Sequence, residues 1–144
     1  MRGILAAMSE ANKQLARQWF EQVWNQKSEE AIDRMFYPHG KAYGFVGPDG
    51  VLEGPEAFKE AHRAFCAAFP DIHIEVEQVI AEGDVVALRW KATMTHLGDQ
   101  LGFPASGKKG VLRGSSFIVV NGHQIMEGWN QMDLQALFQE LKTP

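Results

Sequence analysis

Cysteine is nearly absent from this sequence. Cys66 is the only one in 144 residues, so no disulfide can form within the chain and the fold must be held by packing. That usage fits a reducing compartment and makes the cytoplasm the expected location. The apolar stretch Ala64-Phe65-Cys66-Ala67-Ala68-Phe69 marks the thiol as a packed, inert group rather than a nucleophile. An excess of basic charge is also missing. Lys and Arg number 14 against 18 Asp and Glu, a net charge of -4, which leaves no footprint for nucleic acid.

Long apolar runs are lacking as well. No stretch approaches the roughly 20 residues of a membrane span, so no membrane partner is expected. Met1 to Met8 has one arginine and a brief apolar run but no signal-length core. Residues 1–10 read as a loose leader, or as lying upstream of an alternative start at Met8. The histidines at 39, 62, 73, 96 and 123 have no close metal-type spacing, and no metal is expected.

What remains is an ordinary globular composition, 45% hydrophobic and 10% aromatic, of a length that builds one core. Residues 11–144 are therefore expected to form a single domain. From Ala11 to Gln26 the apolar positions Leu15, Ala16, Trp19, Phe20, Val23 and Trp24 follow a helical repeat. Ser28 is a candidate N-cap for a second helix ending near Tyr37, before Pro38. His39 to Leu52 reads as two short strands around the turn Gly47-Pro48-Asp49-Gly50. Gly54-Pro55 opens a third helix whose inner positions include Phe58, Phe65 and Phe69.

After Pro70 the apolar period changes to two. Ile72, Ile74 and Val76 begin a meander of about four antiparallel strands, with turn signals at Gly83-Asp84 and Asn121-Gly122, and Asp133 caps a final helix. Helices first and a long meander after them give α+β, and a twisted sheet faced by aromatic helices tends to curl around a cavity.

Five segments carry a family resemblance: Glu53-Gly54-Pro55-Glu56-Ala57-Phe58, Ala67-Ala68-Phe69-Pro70-Asp71, Arg89-Trp90 with Thr95-His96, Leu101-Gly102-Phe103-Pro104, and Ile125 through Asp133. With the order of elements, they resemble the SnoaL-like polyketide cyclase branch of the nuclear-transport-factor-2-like (NTF2-like) superfamily, from about Ala11 to Lys142. The resemblance implies a cone-shaped fold with a curved antiparallel sheet, three N-terminal helices and a short C-terminal one. It also implies an apolar pocket, a homodimer, and ring closure by an intramolecular aldol reaction without a cofactor. The cyclases it resembles carry an Asp acid/base where this chain has Asn130, and a His where it has Ser116.

A neutral amide cannot take a proton from carbon, but it can donate a hydrogen bond to a carbonyl or enolate oxygen. Strand parity puts Val86, Leu88, Trp90, Ala92, Met94 and His96 on one face, and the family register adds Ser116, Asn130 and Met132. The expected catalytic residues are His96, as a proton shuttle, and Asn130. The expected substrate-binding residues are Tyr43, Phe58, His62, Phe65, Trp90, Met94, Ser116 and Met132. Glu127 is expected on the outer face, pairing with Arg89 and Arg113.

The run Gly102 to Lys109 has the spacing of a phosphate loop but lacks the final Ser or Thr, and it reads as a hairpin loop near the pocket mouth. The expected function is therefore a cofactor-free enzyme acting on a hydrophobic carbonyl or polyketide-like compound, of cyclase type or with related dehydratase or isomerase chemistry. The alternative is a non-catalytic binding protein for an apolar small molecule. The Asp-Arg-Asp set of the superfamily's epoxide hydrolases is not matched here.

Overall fold

A computed structural model of the chain describes residues 2–45 and 50–144. Helix α1 spans Arg2–Trp19 and widens without a break into a π-helical turn, Phe20–Asn25. It therefore starts well before the expected Ala11. The loose leader is corrected in its backbone, because Leu5, Ala6, Ala7 and Met8 are good helix formers. Its side chains remain outside the core, with Ile4, Leu5 and Met8 all more than half exposed.

Helix α2 covers Glu29–Met35, capped by the Ser28 side chain, which accepts the Ala31 amide at 3.1 Å. The chain then enters strand β1 (Phe36–Tyr43) at Phe36, and β2 (Val51–Glu53) returns antiparallel to it. The expected turn at 47–50 lies, except for Gly50, outside the described residues. Helix α3 (Gly54–Ala68) opens on Gly54-Pro55 as expected. The meander follows as β3 (His73–Glu82), β4 (Val85–Thr95), β5 (Lys109–Asn121) and β6 (Gln124–Met132), and Asp133 caps α4 (Leu134–Lys142).

These strands form one six-stranded sheet in the order β2-β1-β6-β5-β4-β3. All neighbours are antiparallel except β1 and β6, which run parallel with Tyr43 opposite Trp129. The expected antiparallel sheet is thus mixed at one pairing. Such a pairing joins strands far apart in sequence and leaves no turn signal to read. The register slips between Val76 and Gln78 on β3 and between Val119 and Val120 on β5. Bulges of this kind sharpen local twist, and the sheet bends around the helices.

The core lies between the inner sheet face and the aromatic sides of α1, the π-helical turn and α3. Val86, Leu88, Trp90, Ala92 and Met94 are all buried on β4, as the alternation requires. Full burial of each large side chain stabilises the fold by about 1.5–3 kcal/mol. Among the described residues no helix is long and apolar enough to cross a membrane.

Candidate functional site

Between the helices and the inner sheet face lies a cavity of about 50 Å3. Trp24 and Phe45 stack at 5.7 Å with their planes 4° apart, and Phe58 and Phe65 meet this pair edge-on. Phe20 and Trp90 close the side opposite, with ring centres 6.2 Å apart. Ile118 and Gly128, directly paired on β5 and β6, lie on the floor. Among the described lining residues Asn130 is the only one that is not apolar or aromatic, and the other polar side-chain groups are the indole N–H groups of Trp19, Trp24 and Trp90.

Asn130 is oriented by a chain of hydrogen bonds. The Trp90 Nε1–H donates to Ser116 Oγ at 3.1 Å, and the Ser116 hydroxyl donates to Asn130 Oδ1 at 2.7 Å. Asn130 Nδ2–H in turn donates to the Tyr43 carbonyl at 3.0 Å. The Tyr43 carbonyl can only accept, so it fixes the orientation of the amide: a flip would set Asn130 Oδ1 against that carbonyl oxygen. This leaves Asn130 one N–H and one lone pair for a ligand.

Two glycines permit the arrangement. Gly44 has φ +94°, and a Cβ there would overlap the Asn130 backbone carbonyl. A Cβ at Gly114 would overlap the Trp90 ring, so the indole lies flat over bare backbone.

Of the residues expected to bind substrate, Phe58, Phe65, Trp90 and Met132 line the cavity together with Asn130. Ser116 stands one layer behind, only 1% exposed, and acts through Trp90 and Asn130. Tyr43 does not face the cavity. Its ring stacks on Trp129 at 3.9 Å, because both belong to the outward parity of their strands. Met94 is buried farther along β4, beneath Leu137 and Leu141 of α4, beside Gly110.

His62 is packed against Trp24 at 4.9 Å, and its Nε2–H donates to the Val23 carbonyl at 2.7 Å. That carbonyl sits in the last turn of a helix, where no intrahelical donor reaches it. His62 Nδ1 is buried with no partner among the described residues, and burial lowers the imidazole pKa below its ordinary value. Cys66, 3.5 Å from the same ring, has its thiol pKa raised by burial, which keeps it protonated and inert.

His96, expected as a proton shuttle, is fully buried and does not line the cavity. It is packed between Phe69 and Phe103, and its Nδ1 accepts the Ser106 amide at 3.1 Å. The proton is therefore on Nε2, which has no partner among the described residues. Strand parity gave its face correctly, but the position lies past the end of β4, beyond the cavity. The Gly102–Lys109 loop likewise packs on α4 through Phe103 and Phe138, 5.6 Å apart. On the outer face Arg89 and Arg113 pair with Glu77, at 3.4 and 3.0 Å, and not with Glu127, which accepts the Trp129 indole N–H.

The cavity residue that the sequence signals least is Phe45. It has the outward parity of Tyr43, but the positive φ of Gly44 turns it inward. Phe45, Asn130 and Met132 also border a second, larger groove of about 950 Å3, between the ends of β1 and β6 and helix α4. Among the described residues its single carboxylate, Asp133, is engaged in capping α4 by accepting the Ala136 amide at 2.9 Å.

A bent sheet closing on helices around an apolar cavity is the NTF2-like fold, an architecture of small-molecule pockets. The model of the SnoaL-like polyketide cyclase family matches residues 14–141, and the chain belongs to that family. A candidate SnoaL-like polyketide cyclase from Jannaschia sp. CCS1 superposes with a TM-score of 0.85 at 21% identity, covering 94% of each chain. A candidate polyketide cyclase from Acidithiobacillus ferrooxidans is 28% identical with a TM-score of 0.76, over 91% of this chain and 94% of its own. AclR of Streptomyces galilaeus, described as a candidate hydroxylase, has a TM-score of 0.80 at 24% identity, over 94% of this chain and 88% of its own. None of the curated proteins matches this chain.

Proposed function

We propose that the chain is a cofactor-free enzyme that binds a hydrophobic carbonyl or polyketide-like compound and promotes enolate-type chemistry at the carbonyl. The observation that carries this reading is the Asn130 amide, held by Ser116 and the Tyr43 carbonyl with one N–H unspent in an otherwise apolar cavity. A ligand carbonyl oxygen accepting that N–H would gain negative charge on enolisation, and a fixed donor in a dry site stabilises that charge more than water does. Family membership supports the substrate class. The amide is not the base, so the proton must leave to solvent through the groove or to another group of the substrate.

A second reading, a non-catalytic binding protein, draws on one observation: among the described residues no carboxylate or imidazole lines the cavity. The two readings share the ligand and differ in turnover.

Turnover by wild type separates them, and two variants of Asn130 test its role. The Tyr43 carbonyl now accepts from Nδ2–H, and an Asp oxygen in that place would face it lone pair to lone pair. Protonation relieves the repulsion, so the new carboxyl's pKa should rise towards the range useful for proton abstraction. Asn130→Ala should weaken binding by about 1–3 kcal/mol by leaving the ligand oxygen unpaired. Titration and turnover of aromatic polyketide esters by wild type and both variants test this. Turnover by wild type, lost in Asn130→Ala, supports the enzyme; binding without turnover supports the binding protein. Identical behaviour of all three folded proteins removes Asn130 from the site.

A further inference from the structure

The cavity beneath Asn130 is small enough to restrict which end of a ligand can enter it. At about 50 Å3 it has roughly a third of the volume of an engineered apolar cavity of ~150 Å3 that admits benzene. It has room for a short alkyl group and not for a ring. Ile118 and Gly128 bring no polar side chain to it, and apart from Asn130 and the indole N–H groups the lining is aliphatic and aromatic, which favours an alkyl end over a hydroxyl or carboxyl.

The larger groove has another chemistry. It is bordered by the stacked pair Tyr43 and Trp129 and by Phe138, and it presents Gln135 and Lys142 as hydrogen-bond donors. Asn130 stands on the boundary and lines both spaces, with Phe45 and Met132 beside it. A molecule with its carbonyl oxygen at Asn130 thus has one substituent directed into the small cavity and the other into the groove.

The geometry points to a two-part site whose ligand is an alkyl aryl ketone, or the equivalent acyl compound. The short alkyl end occupies the inner cavity, the carbonyl meets Asn130, and an aromatic body bearing oxygen substituents lies in the groove. This rests on the carbonyl-binding reading above and adds the direction of binding and the size limit at one end.

The test uses naphthyl ketones that share one body and differ only in the acyl end: acetyl, propionyl, butyryl and benzoyl. Affinity is read from quenching of tryptophan emission. Wild type should bind the acetyl and propionyl compounds and take the benzoyl compound at least about tenfold more weakly. A Cβ at Gly128 meets only Asn130 Nδ2, at 3.9 Å, so Gly128→Ala fits without collision and fills part of the cavity. It should weaken the propionyl ketone by about tenfold more than the acetyl one.

Ile118→Ala, across the strand pair from Gly128, should restore the benzoyl ketone. If Ile118→Ala does not fold, Ile118→Val with the butyryl ketone serves the same purpose. Ketones that bind, but with an order of affinity independent of the acyl end and unchanged by both variants, overturn the two-part site and leave the carbonyl-binding reading standing. Failure of every ketone to bind any of the proteins overturns both.

Discussion

At the scale of single residues, the fold makes opposite uses of its buried polar groups. Asn130, Ser116 and Trp90 satisfy one another and keep one donor for a ligand, whereas His62 is spent on the chain itself. Protonating His62 would place a second N–H on Nδ1, which is buried with no acceptor among the described residues. Burial is the main cause of its lowered pKa; the hydrogen bond to the Val23 carbonyl and then Glu29 oppose the shift, while Lys27 and Arg63 add to it. The native state therefore binds fewer protons than the unfolded chain, whose imidazole titrates near 6.5. Stability contributed by neutral His62 is complete above that pH and is lost as pH falls from about 6.5 through the lower native value. Urea midpoints at pH 7.5 and 5.5 should fall towards acid in wild type and fall less in His62→Gln, which keeps a donor for the Val23 carbonyl. An equal fall in both proteins would show that His62 does not carry the pH dependence.

At the scale of elements, the sequence was most readable where a local rule decides. Ser28 and Asp133 cap the helices assigned to them, Gly54-Pro55 opens α3, and the alternation on β4 identifies its buried face residue by residue. Phe58, Phe65 and Trp90 were legible as cavity residues for the same reason, whereas Asn130 and Met132 were placed by the register of the family resemblance. Tyr43 was not legible, because its strand register could not be read and its ring has the outward parity, and His62, Met94 and His96 were not, because face alone does not say how far along an element the cavity reaches. His96 and Met94 have the inward parity of Trp90 but lie beyond the hollow, where α4 and the Phe103 loop fill the space. The π-helical turn, the parallel pairing of β1 with β6 and the inward swing of Phe45 after Gly44 depend on contacts distant in sequence, which no local pattern encodes.

At the scale of the whole molecule, the outer sheet face carries a transverse row formed by Tyr43, Trp129, Phe117, Ala87 and Ile80, one from each of five adjacent strands. Phe117 and Trp129 are 54% and 49% exposed, more apolar surface than a solvated sheet face needs. The flanking Arg89 and Arg113 pair with Glu77 within the chain, so the charges beside the row are already balanced and do not oppose the approach of a second copy. We infer a homodimer through this face. Light scattering should give about twice the 16.1 kDa chain mass, and Phe117→Glu should return the monomer. A monomer in wild type at micromolar concentration would contradict the inference.

In the proposed function the Asn130 amide meets a ligand carbonyl in the cavity. The most direct measurement is a calorimetric cycle pairing wild type and Asn130→Ala with an alkyl aryl ketone and its methylene analogue, which differ in one oxygen. The ketone should bind wild type more tightly than the analogue by about 1–3 kcal/mol, and that preference should disappear in Asn130→Ala. An undiminished preference in the alanine variant would mean that the carbonyl is read elsewhere, and would contradict the account.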